Sequence, residues 1–131
     1  MDLNKNISLI VYGAVAEDFK TIAYLKNQMT KIKDGLIKKH RLDCYNLEKI
    51  PGEIVSKLKD CKINLTQDFE VFLPSEKYPP HCDEGGISYF IPLESGTFYI
   101  GGVNYPVVPF VLYAFEDSRL HNTDFCAIML K

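Results

Sequence analysis

With 131 residues, 47% of them hydrophobic and 24% charged, and a formal net charge of -2, the chain has the make-up of one globular domain and lacks the basic excess that nucleic acid demands. Its longest apolar runs, 7–12 and 107–115, are far too short to span a bilayer, which excludes a membrane helix. The first residues lack the basic start, apolar stretch and small-residue cleavage site of a secretory signal, so a cytoplasmic location is expected.

In chain order, the run 7–12 is β-rich and stops at Gly13, after which Ala16, Glu17 and Asp18 open a helical pattern with acids at its positive end. Ile22, Leu25, Met29, Ile32 and Leu36 recur at spacings of three and four, one apolar stripe that packs on a sheet. The lysines between 20 and 39 form its solvated face, offset by Asp18 and Asp34, and His40 reads as a residue of the helix C-terminus favoured by the dipole. Pro51 opens a second helix over 52–59, with Ile54, Val55 and Leu58 on its apolar face.

From about residue 64 the pattern changes to short β segments divided by Pro, Gly, Ser and Asp: 68–73, 87–93, 97–100, 104–108, 110–115 and 125–130. Many short strands following two helices predict an α+β single domain over 1–131, in which a strand and two helices (1–63) brace one outer face of a β-barrel core (64–131). Cys44, Cys61, Cys82 and Cys126 form no C-x-x-C pair and are read as reduced, small buried hydrophobes.

Two of the three histidines lie in the β-rich half beside acids. If 81–83 is extended, residues two apart share a face, so His81 and Asp83 point together while Cys82 points away. Pro79 and Pro80 favour the extended approach, and Gly85 and Gly86 permit a sharp turn after it. His121 follows the predicted strand 110–115 and needs only the curl of the barrel to meet them. Two imidazoles and one carboxylate on one face of a metal leave positions open, the donor set of non-haem Fe(II) oxygenases; structural zinc would want cysteine pairs that are absent.

The segment from Pro80 onward resembles the 2-oxoglutarate/Fe(II)-dependent oxygenase superfamily, prolyl and aspartyl hydroxylase-like members included. There H-x-D and a distal His sit on a double-stranded β-helix, a jelly-roll and cupin-like fold. The order agrees along the segment: His81-x-Asp83, a strand ending in Ile91-Pro-Leu93, a hairpin at 94–96, Tyr105-Pro-Val-Val-Pro109, a strand over 110–115, then His121. The resemblance implies Fe(II) on His81, Asp83 and His121, and 2-oxoglutarate as cosubstrate. A basic residue about ten positions after the distal His would hold the cosubstrate's far carboxylate. Lys131 stands at that offset, ten being an even number that keeps a strand residue on one face, and Arg119, two before His121, is the substitute. Tyr89 would add a hydrogen bond to the cosubstrate. Oxidative decarboxylation would then be coupled to hydroxylation of a C–H bond in a peptide, a protein side chain or a small metabolite.

Two features depart from the family. Pro109 is followed by Phe110 where members commonly have Gly, implying a different turn, and with almost nothing after the last strand the lids that shape a substrate pocket are expected to be reduced. The residues also admit a cupin-like metalloprotein that does not use 2-oxoglutarate, or a non-catalytic barrel that serves as a binding module. Convergence of His81, Asp83 and His121, and the direction of Lys131 and Arg119, separate the three.

Overall fold

The computed structural model describes residues 8–41, 43–63, 69–74, 80, 82 and 85–130. Its elements are β1 (Leu9–Ala14), α1 (Phe19–Lys33), β2 (Lys39–Arg41), β3 (Cys44–Asn46), α2 (Gly52–Asp60), β4 (Glu70–Phe72), β5 (Ile87–Pro92), β6 (Gly96–Ile100), β7 (Val103–Val107), β8 (Val111–Glu116), β9 (His121–Thr123) and β10 (Ala127–Leu130). No helix among the described residues is long and apolar enough to cross a membrane.

Helix α1 begins where Asp18, in extended conformation, accepts a hydrogen bond from Lys20 N–H at 2.8 Å. It ends earlier than the apolar stripe predicts. The N–H groups of Gly35 and Leu36 bond to the carbonyls of Ile32 (3.1 Å) and Lys31 (2.9 Å), and Gly35 takes the left-handed conformation (φ +74°) that this stop requires. Leu36 therefore falls outside the helix and is 73% exposed, and His40, expected at a helix end, lies in β2. The Glu53 carboxylate at the start of α2 accepts the N–H groups of Glu17 (2.8 Å) and Asp18 (3.0 Å), tying the two helix origins together.

The strands form two antiparallel sheets among the described residues, one ordered β1-β8-β5-β10-β4-β3-β2 and one ordered β7-β6-β9. From β5 onward the chain passes from the large sheet to the small one for β6 and β7, back for β8, across for β9 and back for β10. This is a jelly-roll, cupin-like β-sandwich with two helices, the expected fold class. The 1–63 half does more than brace it: β1, β2 and β3 are strands of the large sheet, and β3 pairs with β4 across the predicted boundary at 63/64.

Strand alternation divides the interior into two layers. Ile91, Leu112, Ile128 and Leu130 face the helices and meet Leu25, Ile32, Ile54 and Leu58. Phe90, Tyr113, Phe115 and Ala127 face the small sheet and meet Phe98, Ile100 and Val107. In the turn before β8, Phe110 itself takes the left-handed conformation (φ +66°), and its N–H and carbonyl bond to Pro92 O (2.8 Å) and Val15 N–H (2.9 Å). The Phe110 ring packs on the helix-side layer, which offsets the backbone strain.

Candidate metal centre

β8 leaves the large sheet at Glu116, residues 117–120 turn, and β9 starts at His121 against Ile100 of β6. That crossing carries the imidazole into the space between the sheets. His121 is 3% exposed, with its ring centroid 4.7 Å from Phe115 and 6.2 Å from Phe98. Nδ1 lies 2.7 Å from Arg119 O. A carbonyl can only accept, so Nδ1 carries the proton, and in the neutral ring the lone pair is on Nε2. An imidazole with its tautomer set by a backbone carbonyl is the form in which histidine ligates metals, so this donor fits the implied Fe(II).

His81, Asp83 and Lys131 lie outside the described residues. Residues next to the first two are described. Gly85 and Gly86 both have φ in the left-handed half of conformational space (+119° and +113°) and lead into β5. Gly86 O accepts the Asp117 N–H at 3.1 Å, and a Cβ placed on Gly85 would lie 4.0 Å from Ser118 Cβ. The segment that follows H-x-D in sequence thus rests on the turn that leads to His121. Among the described residues no group of three or more His, Cys, Asp or Glu is placed to hold a metal ion.

The two described cosubstrate candidates are not gathered around the imidazole in the way their spacing suggests. Tyr89 is on the opposite face of β5 from Phe90, half-buried against the helix-side layer and 6.1 Å from the Tyr12 ring, so strand alternation turns it away from His121. Burial and then the neighbouring Tyr12 push its phenol above the ordinary value. Arg119 sits in a turn, where two-residue alternation does not apply, and its guanidinium fills the space a side chain on Gly101 would need.

Sequence reasoning passed over a buried polar pair beside this site. Ser88 (1% exposed) donates from Oγ to Asp117 Oδ2 at 2.8 Å, and Asp117 is itself 5% exposed. Asp117 Oδ1 is buried and has no hydrogen-bond partner among the described residues. No sequence pattern pairs them: Ser88 lies in a strand and Asp117 in a turn, 29 residues apart.

The cysteines correct the uniform reading of them as buried. None of the four is in a disulfide, but Cys82 is exposed, Cys44 and Cys61 are half-buried, and Cys126 alone among them is buried. Burial, and then the Glu94 carboxylate whose Oε2 accepts the Cys126 N–H at 2.8 Å, push the Cys126 thiol up to about 12. The thiolate is the nucleophile, so iodoacetamide at pH 8 is expected to label Cys82 in the folded protein and Cys126 only after unfolding. Fast labelling of Cys126 in the native state, read by peptide mass mapping, would contradict this.

Compared with known proteins, the chain is similar to a crystal structure of a prolyl-4-hydroxylase of Pseudomonas putida, with a TM-score of 0.51 and 12% sequence identity over 95% of this chain and 90% of that one. No protein-family model matches the chain, and no curated protein matches it. At that identity the likeness establishes the fold: a helix-backed jelly-roll sandwich is the architecture the two proteins share.

Proposed function

We propose that the chain is an Fe(II)- and 2-oxoglutarate-dependent oxygenase that hydroxylates a C–H bond of a peptide, a protein side chain or a small metabolite. The observation that carries this reading is His121: a buried imidazole between the two sheets whose Nδ1–H is held by Arg119 O, the tautomer in which histidine ligates metals. The contact between Gly85–Gly86 and the 117–118 turn supports convergence of His81 and Asp83 on it, and the fold likeness to a prolyl-4-hydroxylase supports the reaction class.

In this reading His81, Asp83 and His121 hold the metal, and the chain's other residues bind, orient and exclude water. Bound Fe(II) supplies the open positions at which a keto acid and O2 are activated for oxidative decarboxylation. Lys131 is assigned to the far carboxylate of 2-oxoglutarate, with Arg119 as the alternative. A cupin-like metalloprotein without 2-oxoglutarate is the second reading, favoured by one observation: the Arg119 guanidinium is already settled on the β6–β7 turn.

An anaerobic optical titration decides between them. Fe(II) followed by 2-oxoglutarate is expected to produce a weak visible charge-transfer band that needs both. Fe(II) binding with no such band would overturn the oxygenase reading in favour of the cupin-like one.

A further inference from the structure

We propose that Asp117 is a positioning residue of the metal site, whose Oδ1 accepts a hydrogen bond from a donor that the bound divalent metal brings with it. This rests on His121 being a metal ligand. Aspartate is almost never fully buried without a partner, and Asp117, 5% exposed, has one side-chain bond, from Ser88 Oγ to Oδ2 at 2.8 Å. Its Oδ1 is buried without a partner and Asp117 forms no ion pair, among the described residues. A stranded carboxylate oxygen in a water-poor interior lowers stability, so its presence here points to a donor or cation that arrives later.

The location names that donor. Ser88 pairs with Phe115 across β5 and β8, and the Phe115 ring packs on the His121 ring, so the Ser88–Asp117 pair and the imidazole are both neighbours of Phe115. The Asp117 backbone also ties the start of β5 to the turn that leads to His121. Its N–H holds Gly86 O at 3.1 Å, three residues after Asp83, while its own chain runs on through the turn to His121. One aspartate thus fixes the spacing of segments far apart in sequence and keeps an acceptor in reserve beside them. A carboxylate there also compensates the charge of a divalent cation.

Asp117→Asn separates this role from a structural one, because the two predict opposite signs. The amide oxygen still accepts from Ser88, so the fold is kept, and loss of the stranded charge leaves the metal-free variant as stable as wild type or more so. Co(II), as an air-stable probe, is expected to bind the variant ~10–100-fold more weakly by calorimetry, the range found when an outer-sphere partner is lost. The Co(II) visible spectrum should shift with it. Asp117→Asn binding Co(II) within about twofold of wild type would overturn the inference while leaving His121 as a ligand. His121→Leu that keeps wild-type Co(II) affinity would overturn the metal reading, and this inference with it.

Discussion

His121→Leu is expected to lose divalent metal altogether while remaining folded. Leucine fills much of the volume the imidazole occupies between Phe115 and Phe98, so the inter-sheet layer stays packed. The side chain gives up its hydrogen bond to Arg119 O, on the order of 1 kcal/mol. What it cannot replace is a nitrogen lone pair, and removal of a ligand costs more than the ~10–100-fold that loss of an outer-sphere partner does. Thermal unfolding gives the clearest measurement. With free Co(II) at 100 times the wild-type Kd, binding adds about 2.7 kcal/mol to the stability of the native protein. The variant should gain close to nothing at that concentration, and near-UV circular dichroism should match wild type. A metal-dependent rise in Tm as large as that of wild type would remove His121 from the site.

The same residue marks the limit of what the sequence makes legible. Strands β5 to β8 and β10 are readable because short β-rich segments stand between turn residues, and α2 because Pro51 precedes three apolar positions on one helical face. Strands β2 and β3 are not: Lys39, His40 and Arg41 carry no alternation, and the strand exists because β3, beside it, pairs with β4. Alternation also shows that Tyr89 and Ile91 share a face without saying which face turns toward His121, since both sides of the large sheet are buried. The spacing of two between Arg119 and His121 would put them on one face only in an extended stretch, and residues 117–120 turn, so that spacing says nothing of direction. The early end of α1 was present in Asp34-Gly35, a stop signal that the apolar stripe running on to Leu36 overrode. Asp117 escaped notice because a single acid in a turn has no pattern; its meaning comes from Ser88, 29 residues away in sequence and 2.8 Å away in space.

Phe90→Ala is expected to cost about 3–5 kcal/mol, the range for emptying a buried phenylalanine site. The ring has no exposed surface and stands among Phe98 at 4.8 Å, Tyr113 at 5.2 Å, Phe125 at 5.6 Å and Phe115 at 5.9 Å between centroids. These neighbours belong to both sheets, so no single strand can move in to close the cavity, which places the cost at the upper end of that range. Against the roughly 5–15 kcal/mol that holds a typical domain, the loss is a large share of the total. Urea denaturation should show a lower midpoint with an unchanged slope, because the surface exposed on unfolding is the same. A loss below about 1 kcal/mol would mean that the sheets are not closed around this ring. Phe90→Leu is the more informative companion, since it spares most of the apolar contact but removes the ring tilted against Phe115 at 5.9 Å. Phe115 also packs on the His121 ring at 4.7 Å, so loosening it frees the imidazole to shift. Metal affinity should therefore fall in Phe90→Leu by more than its modest loss of stability accounts for, because the packing of the sandwich holds the His121 ring.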